Sequence, residues 1–254
     1  MPGYSETFAA LYDRLIGDVG YGERSVYLLG LFDRFGRRPS LLLDLACGTG
    51  NFSYEMARRG IEVIGVDLSD DMLTEAEAKR QPGDRVFFVR QPAEALELGQ
   101  TVDGAICCLD SVNHFNGPEG VRAAFSRVAA HLAPGGLFLF DMNSLYKQRE
   151  VLGNNTFVYE TEDVYLVWQN CLIGERNVEL SLDFFCAGED GLYDRYSEMF
   201  TEYGYSAEEM TALLDDAGME TLACFGDMTE RPPEDTCERL VFVARKKQDV
   251  CVKD

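Results

Sequence analysis

From residue 41 onward, continuous apolar runs alternate with segments of helical period. The runs are LLLDLA at 41–46, IEVIGVD at 61–67, RVFFVR at 85–90, VDGAICCL at 102–109 and GLFLFDM at 136–142. Between them, the spacing predicts helices over 51–59, 69–80 and 118–132, the last ending at the stop signal Ala133-Pro134-Gly135-Gly136. Strands that are apolar throughout are strands buried on both faces, so the alternation predicts a parallel sheet with helices on either side. Two further helices are predicted ahead of it. One spans 5–16 with Phe8, Leu11, Tyr12 and Leu15 on its apolar face, and the other spans 22–36 with Val26, Leu28, Leu29 and Phe32. The fold class is a doubly wound α/β domain.

After residue 150 the period changes from 3.6 to 2. Val178, Leu180, Leu182 and Phe184 alternate with Glu179, Ser181 and Asp183, which predicts antiparallel strands within 156–203. A helix over 206–217 and two closing strands, 219–225 and 239–244, return to the first pattern. Residues 151–203 therefore read as an insertion between 1–150 and 204–247, with 248–254 as a flexible polar tail.

Charge narrows the function. Lys plus Arg number 23 against 44 for Asp plus Glu, a formal net charge of -21, which repels polyanions and argues against a nucleic-acid partner. Residues 150–203 carry 12 acids, 2 bases and 10 aromatics. These fit either a solvated outer sheet face or a lid with an aromatic, anionic inner wall. No stretch approaches 18 apolar residues, and the first residues lack both the basic start and the apolar core of a signal peptide, so a cytoplasmic location with no membrane partner is expected. The eight cysteines show no CxxC spacing and read as reduced thiols, with Cys251 in the tail the one expected to react; no metal site is expected.

The chemistry concentrates where the first strand ends, in Asp44-Leu45-Ala46-Cys47-Gly48-Thr49-Gly50. Glycines there allow close approach of a cofactor to the backbone. Asp67 closes the second strand 17 residues after Gly50, where a carboxylate can accept both hydroxyls of an adenosine ribose. Gly48, Gly50 and Ser53 nearly satisfy a dinucleotide fingerprint, so an NAD-dependent oxidoreductase remains a competing reading. Asp44 favours another cofactor, because a carboxylate beside a diphosphate gains nothing whereas a cationic group would gain.

DLACGTG, VIGVDLSDDML, DGAICCLDSVNHF and HLAPGG, in this order, resemble the class I S-adenosylmethionine-dependent methyltransferases over residues 40–142. The leading YDRLIGDVGY and the later YSAEEMTALLDDAGM resemble a small-molecule methyltransferase subgroup with an inserted sheet. The resemblance implies a seven-stranded Rossmann-like sheet whose last strand is antiparallel, an inserted antiparallel β lid, S-adenosylmethionine as cofactor and S-adenosylhomocysteine as product. It implies that Ala46, Gly48 and Gly50 lie against the methionyl part, Asp44 attracts its ammonium, and Asp67 holds the ribose. Leu68 and Met72 would pack on the adenine, Leu109 would offer backbone near the amino-acid moiety, Asp110 to His114 would line the methyl side of the cofactor, and Tyr12 and Tyr21 would cap the pocket.

Two positions depart from that pattern. Where relatives carry an acid facing the adenine, this chain has Pro92, which leaves the contact to Gln91, Ala93 or Glu94. Where some relatives carry His and Arg before the tyrosine of YSAEEM, it has Phe200 and Tyr203. Of the two histidines, His131 reads as a helix-end residue, while His114 stands on the edge of the sheet where ligands enter and is either a base or an orienting group. Asn113, His114, Trp168, Phe200 and Tyr203 are the expected acceptor contacts, although Trp168 reads first as core or lid packing and only second as a box for a cation. The acceptor expected from charge is a small amine or amino sugar, and the assembly a monomer or homodimer. A non-catalytic S-adenosylmethionine-binding protein is the further alternative.

Overall fold

The computed structural model describes residues 6–15, 19–188 and 190–247. The polar tail and Cys251 lie outside the described residues, as do the outer ends of the first helix expected over 5–16.

Helices α1 (Glu6–Leu15) and α2 (Tyr21–Phe35) precede the sheet. The doubly wound part then runs β1 (Leu41–Leu45), α3 (Asn51–Ala57), β2 (Glu62–Asp67), α4 (Asp70–Ala78), β3 (Val86–Arg90), β4 (Val102–Cys107), α5 (Gly117–His131) and β5 (Leu132–Asn143). Four strands follow, β6 (Thr156–Glu160), β7 (Val164–Ile173), β8 (Asn177–Ala187) and β9 (Tyr193–Glu202), and then α6 (Ala207–Asp216), β10 (Met219–Gly226) and β11 (Arg239–Lys246).

The main sheet has seven strands in the order β10-β11-β5-β4-β1-β2-β3. The last strand in the chain, β11, runs antiparallel to both neighbours, β5 and β10, while β1 to β5 pair in parallel. The chain winds outward from β1 to β3 and returns through β4. The order therefore reverses between β1 and β4, the place where open α/β sheets bind ligands beyond the carboxyl ends of their strands.

Apolar cores cover both faces. Phe125, Phe138, Phe140 and Phe242 fill the side of α5 and α6, with the Phe140 and Phe242 rings stacked at 5.0 Å; Phe32, Leu42, Met56 and Val63 fill the side of α2 and α3. The stop signal at 133–136 does not precede β5 but forms a bulge within it: Val102 pairs with Leu132, and the next parallel partners are Gly104 and Leu137.

The second sheet is an antiparallel meander, β6-β7-β8-β9. Its apolar row is buried, with Val178 and Phe184 fully enclosed, Leu182 packing with Phe8, Leu11 and Met72 of α1 and α4, and Leu180 packing with Leu152. A π-helical turn, Lys147–Leu152, joins the two sheets and was not legible in the periodicity. No helix among the described residues is long and apolar enough to cross a membrane.

Candidate functional site

At the reversal point three non-glycine residues adopt left-handed backbone: Ala46 after β1 (φ 56°), and Leu109 and Asp110 after β4 (φ 55° and 53°). Each costs of order 1–2 kcal/mol and persists only where the surroundings enforce it. For Leu109 and Asp110 the enforcing group is Asp141 of β5, whose carboxylate accepts the Leu109 N–H at 3.0 Å and the Asp110 N–H at 2.7 Å. Arg239, the first residue of β11, pairs with Asp141 and donates to Asp110 Oδ1 at 2.5 Å. Burial opposes the charge of Arg239, but the two carboxylates outweigh it and hold the guanidinium firmly protonated.

These turns open into a cavity of about 1460 Å³, larger than the usual range for a single small ligand. On its floor Gly48 (φ +53°) has open space where a Cβ would stand. Its N–H donates to Asp67 Oδ2 at 2.9 Å, and the Ser69 N–H donates to Asp67 Oδ1 at 2.9 Å. Burial raises the Asp67 carboxyl, and the N–H groups of Ser69, Gly48 and Leu68 pull back part of the rise. The helix cap of α4 is Ser69, whose Oγ accepts the Met72 N–H. Asp67 is thus left with lone pairs for a diol.

Beside the cavity lies a small recess of about 30 Å³, lined by Tyr12, Tyr21, Asp44, Ala46, Gly48 and Leu109 among others. Asp44 is 2 % exposed and accepts the Ser53 hydroxyl at 2.6 Å. Burial, with the charge of Asp67 adding to it, pushes its carboxyl up to about 7. An ammonium in the recess would reverse that rise. Helix α1 closes this side: Asp13 accepts from Thr49 Oγ1 at 2.7 Å and Asn51 Nδ2 at 2.8 Å and pairs with Lys79.

Of the other expected cofactor contacts, Tyr12, Leu68, Met72, Ala93, Glu94, Leu109 and Asp110 line the cavity. Three expected site residues have other work. Gly50 lines neither space; a Cβ there would come within 2.7 Å of the Phe88 ring, so packing requires this glycine. Gln91 borders the cavity, but both ends of its amide are engaged by the Glu97 backbone, at 2.7 and 3.0 Å. Asn113 is fully buried: its side chain donates to the Tyr203 carbonyl at 2.9 Å and accepts the Asn143 N–H at 2.9 Å, fastening β5 to the end of β9.

The far end of the cavity is built from both sheets. His114, Trp168, Phe200 and Tyr203 line it as expected. Trp168 donates to Asn170 Oδ1 at 2.6 Å and packs against Phe157 and Tyr159, a fixed wall. His114 stands with its ring against Phe200, its Nε2 3.9 Å from Asp110 Oδ2 and 3.8 Å from Glu202 Oε1. Burial lowers the His114 pKa, but Asp110 and Glu202 outweigh it and hold the ring above its usual value. Burial likewise works to raise Asp110, and Arg239 and His114 overcome it, keeping that carboxyl far below the usual range.

Glu202, 3 % exposed, was not singled out in the sequence; nor were Asp141, Asn143, Gln148 and Arg239. Its Oε2 accepts from Asn143 Nδ2 at 2.8 Å and from Gln148 Nε2 at 2.6 Å. Period-two alternation puts Asp194, Glu198, Phe200 and Glu202 on one face of β9; Glu198, Phe200 and Glu202, toward its end, line the cavity, while Asp194, nearer its start, is exposed. That alternation was the available signal. The seven described cysteines are free thiols, and burial pushes Cys47, Cys107 and Cys108 well above the ordinary thiol value, which makes them inert.

Comparison with known proteins agrees with this geometry. The model of a methyltransferase domain family matches residues 42–136. A protein of Geobacillus sp. (strain WCH70), provisionally named as a methyltransferase, is 33% identical over 245 residues, covering 95% of this chain and 99% of its own. The crystal structure of an S-adenosylmethionine-dependent methyltransferase from Clostridium acetobutylicum ATCC 824 is 32% identical with a TM-score of 0.85, covering 95% of this chain and 98% of its own. A dTDP-3-amino-3,6-dideoxy-alpha-D-glucopyranose N,N-dimethyltransferase of Streptomyces fradiae is 33% identical over 140 residues, 54% of each chain. The oxidoreductase reading falls with these matches: the chain belongs to the class I S-adenosylmethionine-dependent methyltransferases, with S-adenosylmethionine as its cofactor.

Proposed function

We propose that this protein transfers a methyl group to the nitrogen of a small amine, an amino sugar being one fitting form. The observation that carries the reading is the single cavity running from Gly48 and Asp67 to Asp110, His114 and Glu202. The cofactor end fits S-adenosylmethionine by the chemistry of its donors and acceptors: a diol acceptor in Asp67, a buried carboxyl in Asp44 met by the hydroxyl and backbone N–H of Ser53 and by no cation, and open space above Gly48. When bound, the cofactor supplies an activated methyl, whose carbon gains a bond from the acceptor lone pair as the carbon–sulfur pair leaves with sulfur.

The chain's own residues bind, orient and exclude water. Leu68 and Met72 offer an apolar wall to the adenine, with Ala93 and Glu94 at its edge. The Leu109-Asp110 turn, locked by Asp141, presents backbone to the methionyl part, and Tyr12 and Tyr21 close over it. Residues 151–203 act as lid and acceptor-binding subdomain on a cofactor-binding body of 1–150 and 204–247, with Trp168, Phe200 and Tyr203 as its inner wall. The acidic surroundings favour an acceptor with a cationic amine, and the Streptomyces fradiae relative is named for a dTDP-linked amino sugar, which carries a diphosphate as well as the amine.

The test is mass spectrometry of reactions containing the cofactor and paired amines, alcohols and phosphates. The reading predicts S-adenosylhomocysteine and a product one methylene heavier with amines. Methylation of phosphates or alcohols alone would overturn it.

A further inference from the structure

At the acceptor end several hydrogen-bond acceptors are left over, beside His114 Nδ1, a buried donor without a partner when Nε2 is the acceptor, and Lys147 on the cavity wall. Asp110 Oδ2, His114 Nε2 and Glu202 Oε1 converge, with no two of the three ligand atoms more than 4.8 Å apart. Two buried amide oxygens, Asn143 Oδ1 and Gln148 Oε1, have no partner, and they belong to the amides whose N–H groups hold Glu202 Oε2. Asn143 is 1 % exposed and Gln148 0 %. A buried polar atom without a partner costs about 1–3 kcal/mol, so the spot favours a ligand rich in donors. A metal ion and an alkylammonium group are the two chemistries that meet that need.

Geometry separates the ammonium from the small divalent ions, and the crowd of donors separates it from larger ones. With edges of 3.8 and 3.9 Å meeting at His114 Nε2, and the third edge anywhere from about 3 Å to the 4.8 Å limit, a point equidistant from the three atoms is about 2.1–2.5 Å from each when it lies in their plane. A magnesium or zinc ion bonded at about 2.1 Å would be forced into that plane, against its octahedral or tetrahedral preference. An ammonium nitrogen at about 2.8 Å stands above the plane, aims one N–H at each acceptor and directs its carbon substituent away. Arg239, Asn143 Nδ2 and Gln148 Nε2 crowd the same carboxylates with donors, which satisfy anions and repel a divalent ion.

We propose that Asp110, His114 and Glu202 form a cradle for the acceptor's primary ammonium group, with Glu202 brought in by the second sheet and His114 Nε2 accepting one proton. This rests on the methyltransfer reading above and names the acceptor's chemistry. The proton passes from R–NH3+ to the neutral imidazole, leaving R–NH2 and an imidazolium flanked by two carboxylates. The lone pair so freed faces His114, and the amine then swings as a whole, giving up one carboxylate and keeping one N–H on the other, to turn the lone pair toward the methyl. Neutral hydroxyl acceptors leave the cradle under-filled.

The chain holds two histidines, so ring resonances report the site directly, with His131 as an internal control. The experiment titrates S-adenosylhomocysteine-loaded protein with glucosamine, ethylamine and benzylamine, each against its hydroxyl counterpart, glucose, ethanol or benzyl alcohol, and separately with magnesium, manganese and zinc chloride. The expected result is a saturable shift of the His114 resonance with an amine and none with its hydroxyl counterpart. Glu202→Gln weakens that amine at least tenfold while S-adenosylhomocysteine affinity stays within twofold. Should Glu202→Gln lose the His131 signal of the folded protein, Glu202→Asp, which keeps the charge but shortens the reach, is expected to show the same weakening.

Amines that leave His114 unmoved, hydroxyl counterparts that bind as well, or an unchanged amine affinity in the variants would overturn the cradle. One equivalent of a divalent ion saturating the His114 shift would overturn it in favour of a metal site. Failure of S-adenosylhomocysteine itself to bind would instead bring down the methyltransfer reading, and the cradle with it.

Discussion

The two ends of the cavity are built on different principles. The cofactor end is made from short consecutive segments, 44–50, 67–72 and 109–110, each at the end of a parallel strand, with Asp67 held by backbone N–H groups, Asp44 by Ser53 and the 109–110 turn by Asp141. The acceptor end is made from side chains far apart in the chain, Asp110, His114, Asn143, Gln148, Glu202 and Arg239, and holds together by carboxylates meeting amides and a guanidinium. A site made by local turns tolerates drift elsewhere in the sequence. A site made by convergence depends on the register of β9 and on a π turn, and is where acceptor choice can change without touching the cofactor.

The largest expected effect breaks the one support shared by both ends. Arg239→Met leaves Asp110 and Asp141 buried without their cation and should destabilise the protein by about 3–5 kcal/mol, roughly 10 °C in Tm, measurable by urea and thermal denaturation. Asp67→Ala acts at the cofactor end alone. Loss of two charge-assisted hydrogen bonds should weaken S-adenosylhomocysteine by about 3 kcal/mol, on the order of 100-fold by calorimetry, with the acceptor cradle unaltered.

Asp44→Asn sharpens the contrast between stability and binding. The folded pKa of about 7 lies above the ordinary value of 3.8, so the cofactor-free protein loses stability as pH rises between those values. The amide removes that slope. The variant should therefore be more stable than the parent at pH 8 by about 2 kcal/mol, match it near pH 4, and bind S-adenosylhomocysteine more weakly at pH 8. Denaturant titrations at the two pH values check the sign. The smallest effect is expected at the latch on α1: Asp13 and Lys79 are half exposed, so Asp13→Ala should cost no more than about 1 kcal/mol and raise the cofactor off-rate a few-fold in stopped-flow displacement.

This contrast also explains what was legible in the sequence. The strand–helix alternation, the antiparallel last strand and the Gly48, Asp67 and Leu109 turns follow from local pattern and the family resemblance, because parallel strands and their loops are contiguous in the chain. Gly50, Gln91 and Asn113 matched positions of interest by residue type, yet their partners are Phe88, the Glu97 backbone and the Tyr203 backbone, which only the folded chain brings near. Glu202 is one of twelve acids in residues 150–203, and composition does not say which of them faces inward. The π turn that delivers Gln148 has no apolar period to announce it, and the Pro134-Gly135 bulge hid the true start of β5.

The most direct test of a single two-ended cavity is a crystal structure of the S-adenosylhomocysteine complex. The account predicts the ribose hydroxyls on Asp67, the amino group in the recess at Asp44, and the sulfur facing Asp110, His114 and Glu202. A sulfur turned away from that cluster, or an adenosyl group seated against the second sheet, would contradict it.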